Sequence, residues 1–138
     1  MTPVVMDAGP LVAWFCTRDS HHRWAVEVCD KMAGGALVCE AVLAEACHLV
    51  AKDGVAPSAL LRLVEQNDLV LVPLGGEIPR IRALLERYAD VGMDLGDACV
   101  VRLAELHPAS AVCTTDTDFR IYCKNQREAI PLIAPFAS

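Results

Sequence analysis

Six carboxylates carry whatever chemistry this sequence can do. Asp7 closes a short apolar run, Val4-Val5-Met6, and is followed by Ala-Gly-Pro and a second apolar run. Glu45 lies in AVLAEACHLV, where it and His48 are the only polar side chains between Ala41 and Val50. Asp97 stands alone among apolar neighbours in LGDACVVRLAEL, three residues after Asp94. Asp116 and Asp118 follow the run from Ala111 to Thr114 in the segment TTDTDF. Carboxylates gathered in one crevice repel each other and take up protons. A hard divalent cation removes that penalty and asks only for oxygen ligands. Mg²⁺ keeps several waters and uses one or two direct carboxylates, and Mn²⁺ can replace it.

Each acid also has an ordinary explanation. Asp7, Asp94 and Asp116 suit helix N-caps or Asx turns. Asp97 suits a first helical turn, where a negative charge complements the dipole. Glu45 is harder to dismiss, because a helix so apolar is expected to be buried. A buried carboxylate costs several kcal/mol unless something pairs with it. Arg102 and His48 are the alternatives to a metal there. The conjunction of acids, not any one of them, points to a metal site.

The elements that would position these acids alternate along the chain. Strands are expected at Val4 to Met6, Ala36 to Cys39, Asp68 to Leu74, Ala111 to Thr114 and Ile130 to Ile133. Helices are expected at Ala8 to Cys16, His21 to Met32, Glu40 to Ala51, Ser58 to Gln66, Ile78 to Tyr88, and from Asp94 to about His107. Gly34-Gly35 ends the second helix. This alternation predicts a mostly parallel five-stranded sheet with helices on both faces, a three-layer α/β/α sandwich. In such a sheet, acids at strand ends and helix starts reach one crevice at the carboxyl edge.

The composition agrees. The 138 residues, 54% hydrophobic and 22% charged, suit one compact domain over residues 1–138. No apolar run approaches the ~20 residues of a membrane span, and no basic stretch followed by an apolar one marks a signal peptide. Seven cysteines, an odd number without a C-x-x-C pair, read as buried reduced thiols in a cytoplasmic protein. The net charge of −6 argues against nucleic-acid binding by bulk electrostatics and fits a site that concentrates acids.

Four segments in order, VVMDAGPLVAWF, VLAEACHLV, MDLGDACVVRLAE and VCTTDTDFRIY, resemble the PIN-domain family. They are most similar to its compact VapC-type ribonuclease toxins, and the resemblance spans nearly the whole chain. It implies strand order 3-2-1-4-5 and an acidic site at Asp7, Glu45, Asp97 and Asp116. Thr114 matches the family's hydroxyl residue before the last acid, Asp118 the further acid of that segment, and Asp94 a position that is often acidic. The implied activity is Mg²⁺-dependent hydrolysis of RNA phosphodiester bonds. Asp7 and Asp97 would hold one ion; Asp116 and Glu45 would hold a second ion or its waters. The implied partners are RNA, a small antitoxin protein and a second copy in a homodimer. Val42, Leu43, Leu49, Leu60 and Leu61 offer apolar surface for the protein partners. Arg120 and Lys124, near TTDTDF, are the favoured RNA contacts; Trp24 and Tyr122 are candidates for base stacking, while Trp14, the third aromatic, reads first as core. His48 reads as a core histidine.

Three rival readings fit the sequence less well. A receiver-like regulator needs a lysine after the last strand, and Ala129 to Pro135 contains none. A haloacid-dehalogenase-like phosphatase wants a second Asp two residues after Asp7, where this chain has Gly9. A catalytically silent scaffold of the same fold is opposed by the intact acids.

Overall fold

The computed structural model describes residues 2–32 and 34–137; Met1, Ala33 and Ser138 lie outside it. Five short strands form the main sheet: β1 (Val4–Met6), β2 (Ala36–Val38), β3 (Leu69–Leu71), β4 (Ala111–Cys113) and β7 (Leu132–Ile133). Their order is β3-β2-β1-β4-β7, and every pairing is parallel. The expected order therefore holds, with β7 as the fifth strand. A second, antiparallel pair, β5 (Cys123–Lys124) and β6 (Glu128–Ala129), was not anticipated. Strands of two residues are too short to show an alternating pattern.

Six α-helices cover the sheet among the described residues: α1 (Ala8–Phe15), α2 (His22–Lys31), α3 (Glu40–Lys52), α4 (Ser58–Glu65), α5 (Ile78–Arg87) and α6 (Leu95–Leu106). None is long and apolar enough to cross a membrane. Gly34 and Gly35, at φ +78° and +74°, make the turn that separates α2 from β2. β1 and β4 are covered on both faces, so Val5, Met6, Val112 and Cys113 are fully buried, as parallel strands require. α1 packs on α2 and α3, α3 on α6, and α5 on α6. α6 is the most deeply set, with Val100, Val101 and Leu103 inaccessible. All seven cysteines are free thiols, four of them buried.

Two sequence readings need correction here. α3 is not buried all round. Glu40, Ala44, Glu45 and His48 form an exposed stripe, so His48 is not a core histidine. Alanine tolerates either environment, and an Ala-rich helix misleads a count of apolar letters. Of the residues offered as partner surface, Val42, Leu43 and Leu60 belong to the core and Leu49 is half-buried; Leu61 alone is exposed, at 49%.

Candidate active site

The register of β1 against β4 builds the floor of the site. Met6 pairs with Cys113, and the Asp7 N–H donates to the Cys113 carbonyl at 3.0 Å, one step past the end of β1. Asp7 and Thr114 therefore leave the sheet side by side, although 107 residues separate them. The Thr114 hydroxyl donates to Asp7 Oδ2 at 2.7 Å, and Thr114 Oγ1 accepts from the Asp116 N–H at 3.0 Å. One buried hydroxyl thus ties the first acid to the last. β1 lies between β2 and β4, so this is the point where the strand order reverses.

The cap readings are correct as well. Asp7 caps α1, its Oδ1 accepting from Ala8 N at 2.9 Å. Asp116 caps the 3-10 turn Thr117–Arg120, accepting from Asp118 N at 2.9 Å. Asp94 caps α6 in a reciprocal box: its Oδ1 accepts from Asp97 N at 2.8 Å, and Asp97 Oδ2 accepts from Asp94 N at 3.2 Å. Glu45 reaches over the start of α6. Its Oε2 and Asp94 Oδ1 each lie 3.4 Å from where a Cβ would stand on Gly96. Glu45 was expected to be buried and is exposed, yet its carboxylate feels the charges of Asp94 and Asp116. Arg102 does not reach it, being bound at 2.7 Å to Glu77 and 3.1 Å to Glu105.

The electrostatics bind the set together. Burial pushes the Asp7 carboxyl up to about 6, against the hydrogen bonds from Thr114 and Ala8, and repulsion from Glu45 and Asp116 adds to the rise. Burial lifts Asp97 to about 7, opposed by the Asp94 N–H and reinforced by the charges of Asp94, Asp7 and Asp116. Glu45 is raised by burial of its carboxylate and then by Asp94 and Asp116. Among the described residues no ion pair involves any of these acids. The donors are oxygens alone, uncompensated and mutually repelling, which is the chemistry a hard divalent cation satisfies. In their present rotamers no three acids among the described residues meet closely enough to hold an ion. Glu45, on a long exposed side chain, is the one with most freedom to draw in.

Gly9 has a structural role that its sequence reading missed. A Cβ there would collide with Thr115 Oγ1 and stand 3.3 Å from Thr115 Cβ. Thr115 is β-branched, stiff and wedged between Thr114 and Asp116. Gly9→Ala should lower stability by about 1–3 kcal/mol through overpacking, despite alanine's better helix propensity. Adding Thr115→Ala should restore most of the loss. Thermal unfolding of both variants checks this, and an unchanged midpoint in Gly9→Ala counts against the close approach.

The favoured RNA contacts fare differently. Lys124 is only 6% exposed, and its Nζ donates to the Pro108 carbonyl at 2.9 Å. A buried ammonium held in this way cannot meet a phosphate, so that reading is corrected. Arg120 is exposed; its guanidinium lies 4.4 Å over the Phe136 ring and donates to the Phe136 carbonyl. Tyr122 is 1% exposed and cannot stack on a base. Its hydroxyl instead donates to Asp97 Oδ2 at 3.3 Å. Nothing in the local sequence signals that contact, because it depends on how the segment after TTDTDF folds back onto α6.

A PIN-domain family model matches residues 4–125. No curated protein matches the chain. Among solved structures the chain is similar to Mycobacterium tuberculosis VapC20, a sarcin-ricin loop cleaving toxin. The TM-score is 0.78 at 16% identity, covering 93% of this chain and 99% of that one. At that identity the likeness shows the fold alone. The family match takes in every acid that converges on the crevice, and the sheet around them has the order that the resemblance implied: the chain belongs to the PIN-domain family.

Proposed function

We propose that this chain, acting as a single PIN-like domain over residues 1–138, is a divalent-metal-dependent endoribonuclease of the VapC toxin type. Asp7, Glu45, Asp97 and Asp116 are its catalytic carboxylates, supported by Thr114, Asp94 and Asp118. One observation carries this reading. Burial and then the charges of neighbouring acids, Asp116 among them, raise the proton affinity of Asp7 at the end of β1, Glu45 on α3 and Asp97 in the first turn of α6, and no cationic side chain among the described residues forms an ion pair with any of the four.

Asp7 and Asp97 would hold the ion, with Asp116 and Glu45 flanking it. Mg²⁺ or Mn²⁺ bound there supplies Lewis-acid charge that activates water for attack and neutralises the phosphodiester. Thr114 fixes the Asp7 carboxylate by donating to one oxygen, and the capping box fixes Asp97. Because both carboxyls sit near neutrality, binding the ion releases protons. The similarity to VapC20 supports RNA as substrate and makes a sarcin-ricin loop oligonucleotide the first probe. A cognate antitoxin, a homodimer and a cytoplasmic setting complete the reading. The exposed apolar residues Leu61, Val70 and Leu71 of α4 and β3 support a protein partner.

The test is a Mg²⁺ titration with that RNA and with a phosphomonoester. The expected outcome is RNA cleavage that needs Mg²⁺ or Mn²⁺ and stops in excess EDTA, with the monoester untouched. Full cleavage in EDTA removes the metal. Hydrolysis of the monoester alone indicates a phosphatase, and no hydrolysis of either indicates a scaffold.

A further inference from the structure

Tyr122 has no part in the acid set that the family resemblance supplies, yet it is the largest fully buried side chain among the described residues. Its ring packs edge-on between two aromatic rings, Tyr88 at 5.1 Å and Phe119 at 5.0 Å between centroids. Edge-to-face contacts of this kind add specificity of orientation to simple burial. Its backbone is held by the acid loop, with Tyr122 N donating to the Asp118 carbonyl at 3.2 Å. The next residue is held by the neighbouring ring, since Cys123 N donates to the Tyr88 hydroxyl at 2.9 Å. A side chain fixed at its ring and its backbone has one free group left, the hydroxyl. That hydroxyl donates to Asp97 Oδ2.

Asp97 Oδ2 also accepts from Asp94 N. Both of its donors therefore fall on the same oxygen, and among the described residues Oδ1 accepts no hydrogen bond. The carboxylate is turned, with one oxygen bound to protein and the other left for a ligand. Partners of this kind, which orient a metal-binding side chain without touching the metal, typically change affinity by about 10–100-fold when removed. A tyrosine suits the task because its apolar ring can be locked by packing while its tip remains polar.

We infer that Tyr122 is a positioning residue for the metal site: its hydroxyl, aimed by the Tyr88–Phe119 packing, holds the Asp97 carboxylate with Oδ1 free to ligate a divalent cation. The inference rests on the proposed metal-dependent reading, and it joins the loop after β4 to the start of α6 through one side chain. Losing the hydroxyl leaves the ring in place and leaves the carboxylate held by the Asp94 N–H alone, with less to fix its rotation.

The experiment compares wild type with Tyr122→Phe and Tyr88→Phe. Mn²⁺ binding is measured by calorimetry or electron paramagnetic resonance without RNA, and RNA cleavage is measured across a Mn²⁺ series. Tyr122→Phe should bind Mn²⁺ about tenfold or more weakly. Its cleavage should fall at low Mn²⁺ and recover towards wild type at saturation, with circular dichroism unchanged. Tyr88→Phe, which loses the acceptor for Cys123 N, should lose stability while keeping more of its Mn²⁺ affinity than Tyr122→Phe does. Mn²⁺ affinity unchanged in Tyr122→Phe overturns the inference. Equal losses of affinity in both variants also overturn it, because packing alone then accounts for them. Wild type that binds Mn²⁺ but cuts no RNA overturns the nuclease reading and leaves Tyr122's role standing. Wild type that binds no divalent ion overturns both.

Discussion

Asp7→Asn is expected to abolish divalent-dependent RNA cleavage while leaving the fold intact. Asparagine is as good an N-cap as aspartate, so α1 keeps its start. The amide matches the carboxylate in size, and Oδ1 still accepts from Ala8 N. What it lacks is the negative charge and the Oδ2 that accepts from Thr114; its Nδ2 would donate to Thr114 Oγ1 instead. Removing a metal ligand forfeits several kcal/mol of charge stabilisation in the transition state. A loss of about 3–5 kcal/mol is a rate reduction of roughly a hundredfold to several thousandfold. Asp97→Asn should do the same. The two changes act on one ion, so the double variant should be little worse than either single one. Single-turnover cleavage of RNA at saturating Mg²⁺ is the measurement. Full activity in either single variant would sink the metal reading of these two acids.

The same acids should give the metal-free protein an unusual pH response. Asp7 titrates near 6 instead of its ordinary 3.8, and Asp97 near 7. Each binds its proton more tightly in the folded chain than in the unfolded one. Between about pH 4 and 7 the folded state therefore holds more protons, and these two groups lose stability as pH rises through that window. For the well-buried Asp7 the full penalty above pH 6 is about 3 kcal/mol at most. In a chain of this length that is roughly 10 °C in unfolding midpoint. In EDTA, wild type should gain more on going from pH 7.5 to pH 5 than Asp7→Asn does. At pH 7.5 without metal, Asp7→Asn should be the more stable protein. Mg²⁺ should raise the wild-type midpoint at pH 7.5 more than at pH 5. Thermal unfolding on a grid of pH and Mg²⁺ tests all three statements. A wild-type midpoint that tracks Asp7→Asn at every pH would remove the charge strain from the account.

The acids were legible because each broke a local pattern. An aspartate at the end of Val4-Val5-Met6 and another after the run Ala111 to Thr114 mark strand ends, and the sheet order brought those ends together. Glu45 was found by a faulty argument. Its apolar neighbourhood suggested a buried helix, but alanines carry little information about exposure, and the helix shows Glu45 to solvent. Nearness in sequence to TTDTDF does not bring Lys124 to the crevice, because β5 turns its side chain inward to the Pro108 carbonyl. Gly9 and Tyr122 were beyond reach for one shared reason. Their roles are contacts with Thr115 and Asp97 across elements, and a one-dimensional pattern records periodicity and capping, not which loop folds back on which helix.

The pairing of β1 with β4 also sets an order of events in time. Residues 4 to 7 leave the ribosome early, but their partner strand and Thr114 come 107 residues later. At about 5–20 residues per second, translation adds that stretch in roughly 5 to 20 seconds. Until then β1 can pair only with β2, and the Asp7 carboxylate has neither its threonine nor Asp116 beside it. The acid crevice therefore cannot form before β4 has been made. A chain cut short before β4 lacks Thr114 and Asp116 and cannot build the site.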